Sequence, residues 1–246
     1  VCKISSTGDR SNRNGFKSFL ADRWYTKLIP ASPESLPEIV RNSEFFSRLS
    51  EVTHHVRFPE LNVPKTWLPS EQIEESFYAL VPGASTSWKK WEPDCFVKLA
   101  EKIYRQTGWN GLIFGSPQEY FLGEQIRKKS SVPLQNLAGK TELTELSGLL
   151  SLSQLTISND TGAVHLAAAV GTPMVCILGG GHFGRFVPYP KLSGQTNSLK
   201  VVYHKMPCYG CNWECIYPLK KNEPAPCITN ISVDAVWEKV KSLILS

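Results

Sequence analysis

From Phe77 onward, short apolar runs alternate with longer segments whose apolar residues recur every three or four positions. Phe77–Val81, Gly111–Gly115, Leu134–Leu137, Met174–Leu178 and Leu199–Tyr203 have strand length, and Gln154–Ile157 alternates as it enters a buried sheet. Between them, Pro93 suits the first turn of a helix carrying Phe96, Leu99, Ala100 and Ile103 on one face. A second helix is expected over residues 119–129. A third should be capped by Thr141 and carry Leu143, Leu146, Leu149 and Leu150. Ser232 caps a last one, with Val233, Val236, Val240, Leu243 and Ile244 on its stripe. Strands alternating with helices at this spacing predict an α/β fold with one parallel, doubly wound sheet of about six strands.

Residues 1–70 break this rhythm. Ser5 to Asn12 is polar and loop-like, three prolines interrupt residues 30–37, and Val63–Pro69 reads as a linker. One helix is expected, from about Leu36 to Leu49, and no complete sheet. The predicted organisation is therefore a connecting segment and domain remnant over 1–70, then a ligand-binding sheet domain over 71–246.

The most informative stretch runs from Ser158 to Pro173. Asp160 and Thr161 are strong N-cap types, the helix after them is small and apolar, and Gly171 and Pro173 stop it. This makes a strand–helix–strand unit with a polar, Gly-bearing turn at the carboxyl end of its first strand. Such turns hold ligands in open α/β sheets, because a helix start offers unpaired N–H groups and a positive dipole end to an anion. An ordinary well-capped helix is the competing explanation. His165, one turn after Thr161 and sharing the face that looks back to the helix start, favours ligand contact.

Other loops belong on the same edge. Pro82-Gly83-Ala84-Ser85, followed by Lys89 and Lys90, joins small residues to hydroxyls and positive charge, as a phosphate grip requires. Gly115 to Glu119 offers a carboxylate suited to ribose hydroxyls, though a helix-start Glu also serves the dipole. Gly179-Gly180-Gly181 reads as a mobile loop from which His182 and Arg185 reach phosphate or acceptor, or simply solvent. Cys208, Cys211, Cys215 and Cys227 could hold a structural Zn, pair as disulfides or stay free; in each case they read as a brace before the last helix.

Composition narrows the function. The 246 residues are 41% hydrophobic and 20% charged, as expected of a globular protein. The net charge of +5 suits an anionic substrate or a membrane surface, but no Lys/Arg run is dense enough for nucleic acid. No apolar stretch approaches the roughly 20 residues that span a bilayer. No signal peptide opens the sequence, and the cytoplasm is the default expectation.

The turn Pro82-Gly83-Ala84…Lys89-Lys90-Trp91, together with Ser158-Asn159-Asp160-Thr161-Gly162…His165-Leu166-Ala167-Ala168-Ala169…Gly171-Thr172-Pro173, resembles the glycosyltransferase family 9 heptosyltransferases. The likeness covers about 77–245 well, and the segment around Tyr25–Ile29 and Arg41–Phe46 is similar to the piece joining the two halves in some members. It implies a GT-B architecture, of which this chain is the C-terminal, Rossmann-like donor half. The implied reaction is an inverting, metal-independent transfer of heptose from ADP-heptose to a lipopolysaccharide or other glycan acceptor, at or near the inner-membrane surface.

The resemblance implies that Asp160, Thr161, Gly162, His165, Lys89 and Ser85 grip the donor, with Glu119 as the nearest counterpart of an acidic donor contact. The family's general base lies in a Gly-Asp turn leading into an apolar helix. Gly8-Asp9 imitates that turn, but Arg10-Ser11-Asn12-Arg13-Asn14 cannot be such a helix, so the base is expected upstream of Val1. The alternatives are another GT-B enzyme using a UDP-sugar, as transferase or epimerase, and a non-catalytic nucleotide-binding module.

Overall fold

The computed structural model describes residues 3–6, 23–69, 76–193, 198–219 and 222–245. Its strands are β1 (Ile4–Ser6), β2 (Lys27–Ile29), β3 (Phe77–Val81), β4 (Asn110–Ile113), β5 (Leu134–Asn136), β6 (Thr156–Asn159), β7 (Met174–Ile177) and β8 (Leu199–Val202). Its helices are α1 (Glu38–Ser50), α2 (Pro93–Thr107), α3 (Tyr120–Lys129), α4 (Leu143–Leu152), α5 (Gly162–Ala169), α6 (Pro226–Thr229) and α7 (Val233–Ile244). The chain divides into two compact units, one of residues 1–57 with 184–195, the other of 58–183 with 196–246.

The larger unit holds the expected sheet. Its six strands are all parallel, in the order β5-β4-β3-β6-β7-β8. Every residue of β3, β6 and β7 is buried, as in strands covered by helices on both faces. β4 and β5 build outward from β3 on one side, after which the chain returns to place β6 on the other. The order therefore reverses between β3 and β6, and the crevice at their carboxyl ends is where such sheets take ligands.

Periodicity and packing agree along α2 and α7. Pro93 opens α2, which buries Phe96, Val97, Leu99, Ala100 and Ile103 and ends at Gly108, whose φ of +70° suits glycine. In α7 the Ser232 hydroxyl accepts from the Ala235 N–H at 3.2 Å, the cap expected of it. Thr141 does not cap α4: the N-cap position is Glu142, with no side-chain hydrogen bond. Around Trp67 the expected linker is packed. The Leu61 N–H donates to the Ala169 carbonyl at 2.7 Å, and the Trp67 carbonyl lies where a Cβ on Gly148 would stand. The first division of the chain accordingly falls at Arg57, and 58–69 belong with the sheet.

In the smaller unit, β1 and β2 pair in parallel, which is as far as a sheet goes among its described residues. The expected helix is present as α1, with none of its residues fully buried. Residues 184–195 join this unit through Arg185, whose carbonyl accepts from the Glu38 N–H at 2.7 Å and whose Nε lies 3.3 Å from Glu38 Oε2. No helix among the described residues is long and apolar enough to cross a membrane.

Candidate functional site

The seam between β3 and β6 is tied by one side chain. Asn159, at the end of β6 and fully buried, donates through Nδ2 to the Pro82 carbonyl at 2.8 Å and accepts at Oδ1 from the Trp91 N–H at 3.2 Å. Trp91 is itself anchored. Its Nε1 donates to the Ile231 carbonyl at 2.8 Å, and its ring meets Phe96 edge-on at 5.1 Å. The turn from Pro82 to Trp91 is thus fixed at both ends, and a single 3-10 turn over Ser87–Lys89 aims Lys89 across the seam.

Lys89 Nζ lies 3.2 Å from Asp160 Oδ2, with side-chain exposures of 14% and 7%. Taking two charges out of water costs about what their attraction returns, so a pair this buried is poor evidence of a stabilising role and better evidence of a site.

The start of α5 lies beside it. Thr161 occupies the N-cap position, but its side chain makes no cap hydrogen bond; the hydroxyl pairs with Ser158 Oγ at 3.2 Å. Asp160, the other cap candidate, is engaged with Lys89. The capping expected from sequence is absent because both groups serve the seam instead. The first amides of α5 are left without a side-chain acceptor, with the positive end of the helix dipole behind them. A Cβ on Gly162 would meet nothing within 4 Å, so the approach to these amides is open. His165 is partly buried on the same helix; burial lowers its pKa from the ordinary 6.5, and the Asp160 carboxylate opposes that shift.

Glu119 also reaches the edge. Its Oε2 accepts from the Ser116 N–H at 2.7 Å and pairs with Ser116 Oγ at 3.0 Å, closing a capping box at the start of the turn before α3. The carboxylate lies over Gly83, where a Cβ would collide with it. Glu119 thus serves its own turn through a capping box, a local use beside the dipole role expected of a helix-start Glu, while standing against the first turn. Ser85 is exposed on that turn, and Lys89 is the residue brought to Asp160.

The segment after β7 differs from expectation. Gly179, Gly180 and Gly181 are buried, and aromatic rings explain the glycines. A Cβ on Gly179 would come within 2.7 Å of the Trp213 ring, one on Gly180 within 2.6 Å of Tyr209, and one on Gly181 would fall against the Trp213 indole. His182 pairs through Nε2 with Asn212 Oδ1 at 2.8 Å. Arg185 belongs to the smaller unit and pairs with Glu38 there.

The rings come from the cysteine-bearing loop. Cys208, Cys211, Cys215 and Cys227 are all free, and Cys227 Sγ accepts from the Gly180 N–H at 3.4 Å. Burial pushes the Cys211 and Cys227 thiols up, and the neighbouring cysteines add to it. Among the described residues no group of three or more His, Cys, Asp or Glu side chains is arranged to hold a metal ion.

Sequence reasoning named Lys89, Asp160, Thr161, Gly162 and His165, and these gather around the seam or the start of α5. It gave no role to Asn159 or Trp213; the signals were an amide in a fully buried strand and an indole between two cysteines. Asp9 lies outside the described residues.

Known proteins resemble the chain in sequence and in fold. The model of glycosyltransferase family 9 (heptosyltransferase) matches residues 8–214. Lipooligosaccharide heptosyltransferase 2 of Haemophilus influenzae is 35% identical over 111 residues, covering 43% of this chain and 32% of that protein. The enzyme of the same description from Campylobacter jejuni is 29% identical over 170 residues, covering 67% of this chain and 50% of its own length. The chain therefore spans about a third to a half of these curated relatives. Among solved structures, the E. coli ADP-heptose lipopolysaccharide heptosyltransferase II superposes with a TM-score of 0.71 at 18% identity, covering 93% of this chain and 68% of that one. The fold is the Rossmann-like, doubly wound parallel sheet expected of one half of a GT-B enzyme, and with the family model spanning most of its length, the chain belongs to glycosyltransferase family 9.

Proposed function

We propose that this chain is the donor-binding part of a heptosyltransferase that passes heptose from ADP-heptose to a lipopolysaccharide core acceptor. The observation that carries the reading is the nearly buried Lys89–Asp160 pair, 3.2 Å apart at the reversal of strand order, beside the open start of α5. As the bond from the sugar to the diphosphate breaks, negative charge grows on the leaving phosphate. The Lys89 ammonium and the first amides of α5 oppose that charge from a site already organised for it. Asp160 cannot accept a hydrogen bond from a phosphate that carries no proton, so its part is to hold Lys89 and to accept from sugar hydroxyls. The base that takes the acceptor's proton comes from outside the described residues. Work at the cytoplasmic face of the membrane carrying the acceptor accords with the net charge of +5.

Calorimetric titration with ADP and UDP tests the reading. ADP should bind and UDP should bind markedly less. Lys89→Ala should remove a charge-assisted contact of about 1.5–3 kcal/mol, or roughly one to two decades of ADP affinity. Lys90→Ala, outside the ion pair, should stay near the parent value. Equal losses at both lysines would put the phosphates elsewhere, and UDP binding as tight as ADP would favour an enzyme of UDP-sugars.

A further inference from the structure

Trp213 sits where the donor site and the cysteine-bearing loop meet. Lys89 Nζ lies over its ring, 5.2 Å from the centroid, so the ammonium is held between the Asp160 carboxylate and an indole face. The ring has no freedom to follow the lysine. It rests against the backbone of Gly179 and Gly181, where any Cβ would displace it, and His182 meets it edge-on at 6.1 Å and 83°. Its backbone is anchored beside it, the Asn212 N–H donating to the Gly181 carbonyl at 2.9 Å, and Asn212 and Trp213 both take positive φ, 50° and 64°, a conformation unusual for an indole-bearing residue. The indole Nε1 is buried without a hydrogen-bond partner among the described residues, so the ring is positioned by its faces and not through its N–H.

From this we infer that Trp213 is a positioning residue for Lys89: the segment from Cys208 to Cys215 sets donor affinity by holding the ammonium at the diphosphate position. The inference rests on the donor-binding reading above. Without the ring, Lys89 keeps its carboxylate partner but loses the wall that fixes its ammonium from the other side. A flexible, strongly hydrated ammonium then spends more of its time away from the phosphates.

The test is a double-mutant cycle read by ADP titration on the full chain, using Lys89→Met, Trp213→Leu and the double variant, with Trp213→Phe as the ring-keeping control. Trp213→Leu should weaken ADP roughly three- to thirtyfold, the range of a partly desolvated cation–π contact. Trp213→Phe should recover most of that loss. The double variant should bind no more weakly than Lys89→Met alone, because the indole acts through the lysine. Trp213→Met, longer and more adaptable, takes the place of the Leu variant if the latter fails to fold. Losses that add in the double variant, a Phe variant as weak as the Leu variant, or unchanged affinity in Trp213→Leu would each overturn the inference while leaving the donor site intact. Unchanged affinity in Lys89→Met would overturn the donor-site reading itself and the inference with it.

Discussion

Two glycine-bearing turns leave the same edge of the sheet, one after β6 and one after β7, and glycine serves opposite ends in them. At Gly162 a Cβ would meet nothing within 4 Å, so the missing side chain keeps the start of α5 open. At Gly179, Gly180 and Gly181 the space is already filled by Trp213 and Tyr209. The first turn is open; the second is filled by its own chain. Glycine announces a close approach in both, and only the fold says what approaches.

The sharpest break in that comparison is a branched side chain placed on each turn. Gly162→Val should cost about two decades of ADP affinity or more, with little change in melting temperature, because it fills only open space. Gly181→Val should do the reverse. It must displace an indole, an overpacking cost of about 1–3 kcal/mol, or roughly 2–4 °C in melting temperature per kcal/mol for a chain of this size. If Gly162→Val melts as early as Gly181→Val, or leaves ADP binding untouched, the contrast is wrong.

Asn159→Ala should come next, since it leaves the Trp91 N–H and the Pro82 carbonyl without their partner. Denaturant unfolding should show a loss of about 1–3 kcal/mol, with the 82–91 turn loosened on the ligand side. A loss below a few tenths would mean that other contacts fix the seam.

The smallest effect is one of pH. His165 has a folded pKa below its ordinary 6.5, chiefly through burial, so the unfolded chain binds the proton first. The stability this contributes is present above pH 6.5 and is lost as pH falls from there toward the folded value. Melting temperatures taken from neutral to mildly acid pH should therefore decline, and less steeply in His165→Gln. An unchanged slope in that variant would assign the decline to other groups.

The strands and most helices were legible because apolar spacing reports burial directly: Phe77–Val81 and Met174–Leu178 could be little else. That the turns of Pro82 and Asp160 share an edge followed from parallel topology alone. What sequence could not give was the pairing of polar groups. Thr161 and Asp160 look like caps, yet their side chains turn to Ser158 and Lys89, because partners 3 and 71 residues away compete with the local amide. Thr141 misleads differently, the N-cap position falling one residue later at Glu142. The role of Trp213 was hidden for a different reason: it depends on Lys89 and Gly181, neither of them near it in the chain, while the cysteines around it draw the eye to themselves.

The Lys89–Asp160 pair also bears on which ligands the crevice favours. Because the two charges are paired at 3.2 Å, the ammonium's pull on small anions is largely offset by the carboxylate, leaving the amides of α5 as the local attraction. Free phosphate would have to take the ammonium from a partner it already has, and only its protonated oxygen has anything to offer the carboxylate in exchange. In the donor-binding reading proposed above, a sugar diphosphate brings oxygens for one and hydroxyls for the other, so the pair would act as a coincidence detector, favouring a ligand that satisfies both halves at once.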